Sequence, residues 1–150
     1  MYPSAAAVRG NQVEVYGPYQ GDLTIERVVS AQMEGVYFPV TIREFGAHMY
    51  HVHAKDTWLD KPNIALNGVL DTKPYTDEIN RSWIFRTVGF GHGQEFWRSL
   101  MSELRLAGYD GVISIEHEDS LMSINEGFTG AVNFLKGAVI SESPAVAWWV

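Results

Sequence analysis

The chain has 150 residues, of which 46% are hydrophobic and 19% charged, a composition that is typical of a folded domain and excludes a disordered chain. Its 18 acidic and 11 basic residues give a formal net charge of -7, which argues against nonspecific binding to nucleic acid or anionic membranes. Cysteine is absent, so disulfides, thiolate metal sites and cysteine nucleophiles are excluded, and any metal must be bound by histidine, carboxylate and water.

The distribution of apolar residues predicts one cytoplasmic domain. No stretch approaches the ~20 apolar residues of a membrane span, and the first residues lack the charged and apolar regions of a secretion signal. There is no internal repeat, low-complexity segment or linker composition. We therefore expect a single domain over residues 1 to 150.

The N-terminal half contains two strand-like and two helix-like patterns. Gln12 to Tyr16 alternates like a strand, Leu23 to Met33 has the pattern of a helix, and Val40 to Phe45 closes another helix. Met49 to His53 is the next predicted strand. The polar, proline-bearing stretch from Asp56 to Asn80 is too long for a standard βα connection, which predicts an excursion over the site.

The second half alternates short strands with amphipathic helices. Trp83 to Val88 is a predicted strand, and the glycine-rich run from Gly89 to Gly93 predicts a tight turn with close approach of backbone to a ligand. Apolar residues recur at three and four from Glu95 to Ala107, which predicts a helix that Gly108 stops. Val112 to Glu116 is the next predicted strand, the third counted from Met49 to His53.

The last predicted helix runs from about Glu126 to Lys136. Its apolar positions, expected to pack inward, are Phe128, Val132 and Leu135. After it, Pro144 and the pair Trp148-Trp149 suggest a tail that lies back on the body. The alternation of strands and helices indicates an α/β fold with parallel strands.

Two strand ends carry the residues with the clearest chemistry. His51 and His53 are two apart on a strand and therefore project from one face. The same period places Ser114 and Glu116 on one face of a later strand. The alternating residues, expected to face the helices, are Ile113, Ile115 and His117. Imidazole with carboxylate at such strand ends is a donor set suited to Mn²⁺, Mg²⁺, Co²⁺ or Zn²⁺.

Three segments carry a family resemblance: His-Val-His-Ala-Lys-Asp at 51 to 56, Arg-Thr-Val-Gly-Phe-Gly-His-Gly at 86 to 93, and Gly-Tyr-Asp-Gly-Val-Ile-Ser-Ile-Glu-His-Glu-Asp at 108 to 119. In this order they resemble the sugar phosphate isomerase/epimerase family of xylose isomerase-like barrels, which also contains inosose dehydratases and ketose 3-epimerases. The resemblance covers about residues 39 to 140 and leaves 1 to 38 outside it. It implies the sixth, seventh and eighth strands of a (β/α)₈ TIM barrel, so that the chain holds roughly its last three to four βα units.

The resemblance also implies a function and the residues that perform it. The reaction would be metal-assisted proton transfer on a ketose, a sugar phosphate or a cyclitol. His53 and Glu116 would bind the divalent metal, and Glu116 would also be a catalytic carboxylate. Lys55 and Arg86 are candidates to neutralise a substrate phosphate or carboxylate, and His92 to contact a sugar hydroxyl.

An alternative function follows from what the chain lacks. Family barrels supply a glutamate from the fourth strand and an aspartate within an Asp-Pro-Ser-His motif on the fifth, and no such motif occurs here. The alternative is a catalytically inactive barrel fragment that serves as a binding or assembly module, with a homo-oligomer formed through an open sheet edge. A metal-dependent endonuclease of apurinic sites, a third possibility, is disfavoured by the net charge of -7.

Several of these residues also have a purely structural interpretation. His51 is more simply a hydrogen-bonded core residue, Lys55 and Asp56 an ion pair at a strand end, and Arg86 a partner of Glu95 or Asp110. Residues 117 to 119 read as the solvated start of a loop. The glycines at 89, 91 and 93 read as a turn, because the spacing is not that of a P-loop and no Lys-Ser/Thr follows.

Overall fold

The computed structural model describes residues 5–9, 12–16, 23–24, 38–71, 73–147 and 149. The strands of this part are β1 (Ala5–Arg9), β2 (Gln12–Tyr16), β3 (Leu23–Thr24), β4 (Val52–Ala54), β5 (Asp56–Leu59), β6 (Trp83–Arg86) and β7 (Ile113–Ile115). The α-helices are α1 (Phe38–Phe45), α2 (Lys61–Asn67), α3 (Gln94–Leu106) and α4 (Ile124–Lys136), with short 3-10 segments at Gly46–His48 and Tyr75–Asn80. None of the helices described is long and apolar enough to cross a membrane.

The strands form three small sheets and, within the described residues, no closed barrel. Strand β4 lies between β3 and β7 and is parallel to both, with Val52 opposite Ile113 and His53 opposite Ser114. Strands β1 and β2 form an antiparallel hairpin. The fold is therefore mixed α/β with a small parallel sheet, as expected, and the partial TIM barrel remains a prediction.

The predictions for the first strands and helices of the chain are confirmed in part. Strand β2 occupies the predicted residues, and α1 ends at Phe45 as predicted. The predicted helix from Leu23 is wrong at its start, because Leu23–Thr24 pairs with β4 as a parallel strand. Residues 25 to 33 of that prediction lie outside the described residues.

The strand predicted at Trp83 to Val88 exists, but it is not part of the parallel sheet. Strand β6 pairs antiparallel with β5, with Leu59 opposite Trp83 and Asp56 opposite Arg86. A parallel return requires a crossover that packs on the sheet, and α2, the helix between these strands, has no buried residue. The stretch from Asp56 to Asn80 thus contains β5 and the connection to β6. Together with β6 it forms a β5–β6 hairpin, the hairpin extension (residues 56 to 86).

The core lies between the parallel sheet and the helices. Val52 and Ala54 of β4 are buried, and Ile113 and Ile115 of β7 pack against the same cluster. The helical side is supplied chiefly by four buried residues of α3: Trp97, Leu100, Met101 and Leu104. Each such side chain contributes about 1.5–3 kcal/mol by leaving water.

The boundaries of the two long helices follow from the sequence. Gly108, with φ of 80°, ends α3 in a Schellman arrangement, in which Gly108 N–H donates to Arg105 O and Tyr109 N–H to Leu104 O. Ser123 caps α4 by accepting the N–H of Glu126 at 3.2 Å. Both predicted helices are confirmed to within about two residues.

The inward face of α4 differs from the predicted one. Gly127, Ala131 and Leu135 are buried, whereas Phe128 and Val132 remain 39% exposed. The small residues allow the helix to approach the sheet closely, which turns the larger neighbours outward. Trp149, in the tail that was expected to lie back on the body, is 68% exposed, and Trp148 lies outside the described residues.

The hairpin extension is fastened by Asp71. Its carboxylate accepts the backbone N–H of Lys73 at 3.0 Å, the Lys73 ammonium at 2.9 Å and the Ser82 N–H at 2.9 Å. The hydrogen bond from the Lys73 side chain is the main reason why the pKa of Asp71 falls from 3.8 to about 2. Ionised Asp71 therefore joins the loop after α2 to the start of β6.

We expect Leu100→Ala to lower the free energy of unfolding by about 2–5 kcal/mol, because it leaves a cavity in the core. Leu106→Ala on the same helix is the matched control, since Leu106 is 74% exposed, and its effect should stay within about 0.5 kcal/mol. Urea denaturation followed by circular dichroism measures both. Equal effects would contradict the position given to α3.

We expect stability to fall as the pH drops from about 4 to about 2. The folded pKa of Asp71 is about 2, below its ordinary 3.8, so its contribution is fully present above pH 3.8 and is lost as the pH falls through the folded value. Asp71→Asn should flatten this part of the profile of unfolding free energy against pH. An unchanged slope would show that Asp71 does not bind its proton differently in the folded chain.

Candidate functional site

The parallel pairing of β4 and β7 brings three of the singled-out residues together. His51 Nε2 lies 2.8 Å from Ser114 Oγ, and the rings of His51 and His53 meet edge to face with centroids 4.7 Å apart. His53 is opposite Ser114 in the register. The prediction that these side chains share one face is confirmed, and His51 has the hydrogen-bonded partner that its plain reading required.

Glu116 continues the pairing beyond the end of β7. Its backbone N–H donates to Ala54 O at 3.0 Å, so the parallel ladder extends one step past the strand. Glu116 follows Ser114 by two residues, which at strand geometry places its Cα on the order of 8 Å from that of His53. Both side chains are partly exposed.

Lys55 is the centre of the charges at this edge. Its ammonium is 3.0 Å from Glu116 Oε1 and 2.8 Å from Glu118 Oε2, and it lies 4.0 Å from the centroid of the Phe85 ring. Lys55 is 4% exposed, so these contacts compensate its burial. The structural interpretation of Lys55 and Asp56 as one exposed ion pair is wrong, because the two side chains contact different partners.

Asp56 is fully buried and accepts hydrogen bonds from the glycine-rich turn. Four backbone N–H groups donate to its carboxylate at 2.8–3.1 Å: those of Thr57, Gly89, Gly91 and His92. Trp97 Nε1 adds a longer contact of 3.4 Å. A Cβ on Gly91 would lie 2.6 Å from Asp56 Oδ1, which explains the glycine. The close backbone approach predicted for this turn is to a carboxylate of the same chain.

His92 is oriented by the same carboxylate. Its Nδ1 is 2.7 Å from Asp56 Oδ1, and its ring stacks on Phe96 of α3 at 4.2 Å between centroids. A carboxylate can only accept here, so Nδ1 carries a proton and donates it to Asp56. The imidazole is thus held against α3, and its predicted contact with a sugar hydroxyl remains a prediction.

Arg86 forms an ion pair with Asp119 at 3.1 Å, not with Glu95 or Asp110 as its plain reading suggested. Asp119 also accepts the N–H groups of Thr87 and Leu121, at 2.7 and 2.9 Å. Burial alone would raise the pKa of Asp119, but these hydrogen bonds outweigh it and hold the pKa below 3.8.

The prediction that residues 117 to 119 are the solvated start of a loop is wrong for Asp119, while His117 is partly exposed. Asp119 is buried. His117 packs on the Phe128 ring at 5.6 Å between centroids, as its predicted helix-facing position required, with Nδ1 3.3 Å from Thr87 Oγ1. Glu118 is half exposed.

The structure thus joins Lys55 to Glu116, places His53 on the adjacent strand, and gives Arg86 and His92 partners of their own. Sequence reasoning missed Asp56 and Asp119 as buried acceptors. A signal existed for Asp56, because a turn rich in glycine exposes several N–H groups that need an anion, and Asp56 is a carboxylate close to a predicted strand end. Asp119 had no such signal.

The comparisons with known proteins add a relative but no activity. No family model matches the chain. It is similar to the uncharacterized protein YfiH of Bacillus subtilis (strain 168), with 37% identity over 100 residues, which is 67% of this chain. The matched part is 32% of that protein, so the chain spans about a third of its length. The resemblance to the sugar phosphate isomerase/epimerase family therefore stays a prediction.

We expect Asp56→Asn to lower the free energy of unfolding by about 3 kcal/mol, because the amide replaces an anion that accepts several buried N–H groups. Asp110→Asn, at an exposed position, makes the same chemical change and should be nearly neutral. Urea denaturation compares the two variants. A cost below about 0.5 kcal/mol for Asp56→Asn would contradict its role as the acceptor for the turn.

Proposed function

We propose that the chain belongs to a sugar isomerase- or epimerase-like protein built on a xylose isomerase-like TIM barrel, of which it supplies part. The chain would contribute groups that move a proton on the carbon beside the carbonyl of a ketose, sugar phosphate or cyclitol. The observation that carries the proposal is the pair of buried Lys55 and partly exposed Glu116, 3.0 Å apart. They follow the ends of two adjacent parallel strands, the position at which barrel enzymes keep their chemistry.

The two groups have complementary roles in such a reaction. The Glu116 carboxylate accepts the proton from the carbon, while the Lys55 ammonium stabilises the negative charge that develops on the carbonyl oxygen. Returning the proton to the former carbonyl carbon completes an isomerisation, provided that the hydroxyl proton also passes from the neighbouring oxygen to the former carbonyl oxygen. Epimerisation needs a second proton donor on the opposite side of the same carbon, because Glu116 alone returns the proton to the face from which it came.

The divalent metal implied by the resemblance would be held by His53 and Glu116. Imidazole and carboxylate fit Mn²⁺, Mg²⁺, Co²⁺ or Zn²⁺ in kind. Two donors are too few for a complete site, and the described residues contain no group of three or more histidine or acidic side chains able to hold an ion. Any further donors would have to come from outside the described residues, and the proton transfer above uses none of them.

The alternative function is a catalytically inactive binding or assembly module. It is favoured by the incomplete donor set and by the position of β7, which in the described part of the chain has β4 as its one strand neighbour. A free strand edge can pair with another chain. In that case His53 and Glu116 would be structural remnants and a homo-oligomer the functional form.

We expect Glu116→Gln to slow the exchange of solvent deuterium into the carbon beside the carbonyl of D-fructose by at least about 100-fold, as loss of a general base does. Nuclear magnetic resonance measures the exchange, with and without added Mn²⁺. Glu95→Gln is the matched control, because Glu95 is an exposed carboxylate in the first turn of α3 and should leave the rate unchanged.

Two outcomes would count against the proposal. Equal exchange rates for Glu116→Gln and the unmodified chain would remove Glu116 from the reaction. No exchange by the unmodified chain in either condition, together with a concentration-dependent oligomer in analytical ultracentrifugation, would favour the assembly module.

A further inference from the structure

The sequence contains one Asn-Gly pair, Asn67-Gly68, at the C-terminal end of helix α2. Such a pair is prone to a spontaneous reaction, because glycine has no side chain to shield its backbone nitrogen. That nitrogen attacks the side-chain carbonyl carbon of the asparagine, and a succinimide ring forms. The side-chain nitrogen leaves as ammonia and takes the proton of the backbone amide with it. Water then adds to either carbonyl of the ring, which gives aspartate or isoaspartate.

The surroundings of the pair leave it open to this reaction. Asn67 and Gly68 are both exposed. Gly68 has φ of 76°, and no described residue beyond its chain neighbours has an atom within 4 Å of the place that a Cβ would occupy. Water therefore reaches both the asparagine side chain and the nitrogen that follows it.

One hydrogen bond opposes the reaction. The Gly68 N–H donates to Ile64 O at 2.8 Å and closes the last turn of α2. A nitrogen held in this way points along the helix and not at the side chain of the preceding residue. The last turn must therefore open before Gly68 can attack Asn67.

Opening of this turn costs little free energy. Helix α2 has seven residues, none of them buried, and a helix of this length has little stability of its own. The side-chain hydrogen bonds that hold it lie at its start: Asp60 accepts the Asn63 N–H at 2.9 Å, and Asn63 Nδ2 donates to Ile79 O and Arg81 O, both at 3.0 Å. The last turn lies beyond them. Segments of this kind open without global unfolding.

We propose that Asn67 is a modification site, which converts to aspartate and isoaspartate through local opening of the last turn of α2. Neither product rebuilds the turn well. Aspartate places negative charge at the C-terminal end of the helix, where it is unfavourable, and isoaspartate adds a carbon atom to the main chain. The conversion is therefore a one-way change in the hairpin extension, to which α2 belongs.

The test is peptide mapping by mass spectrometry of the whole chain, incubated at neutral and at mildly alkaline pH in water enriched in heavy oxygen. We expect Asn67 to convert, to take up heavy oxygen from the water, and to convert faster as the hydroxide concentration rises. Gly68→Ala should slow the conversion about tenfold, because its methyl group shields the nitrogen, although alanine at a positive φ favours opening of the turn.

Two further variants distinguish local opening from global unfolding. Asp60→Ala removes the cap of α2 and should speed the conversion about fivefold, since a lost cap costs about 1 kcal/mol. Leu100→Ala weakens the core instead and should leave the rate unchanged. Low concentrations of urea, added to the unmodified chain, give a second measurement: a local opening exposes little surface, so the rate should rise only weakly with urea.

The proposal is overturned if Asn67 converts no faster than Asn125, an exposed asparagine that precedes glutamate, or if Gly68→Ala converts as fast as the unmodified chain. It is also overturned if Leu100→Ala and low urea raise the rate as strongly as Asp60→Ala does, because the reaction would then require global unfolding. Circular dichroism of each variant checks that it is folded.

Discussion

The structure around the candidate site depends on one buried anion. Asp56 has no exposed surface and accepts the N–H groups of the turn at residues 89 to 92, the His92 imidazole and, at longer range, the indole of Trp97. A buried carboxylate is costly unless it is hydrogen-bonded in this way. Asp56 therefore fixes where the hairpin extension leaves the sheet and where α3 begins.

The side chains of Lys55 and Asp56 point to opposite faces of the sheet, because successive residues in an extended chain do so. The Asp56 side chain contacts the turn and helix α3, and the Lys55 side chain lies on the face that carries His53, Ser114 and Glu116. The carboxylates of Glu116 and Glu118 hold the Lys55 ammonium, which also lies against Phe85 of the extension. Lys55 thus contacts both Glu116, its partner in the candidate catalytic pair, and the hairpin extension.

The sequence predicted local structure well where residues close together in the chain determine that structure. The helix α3 follows from its apolar spacing and from Gly108, and the shared face of His51, His53 and Ser114 follows from strand periodicity. The antiparallel course of β6 was not predictable from its own residues, because it depends on α2 failing to pack on the sheet. The partners of Lys55 and Arg86 were missed for a similar reason: Glu118 and Asp119 lie far along the chain, and only the tertiary fold brings them near.

The lack of buried residues in α2 also has a consequence for local unfolding. The extension is attached to the body through a few polar contacts, chiefly those of Asp56 and Asp119, while the main apolar core lies beneath the parallel sheet. Segments with few buried apolar contacts open at a lower free energy than the core does. We therefore expect residues 56 to 86, with the stacked rings of Tyr75 and Phe85, to open locally before the core unfolds.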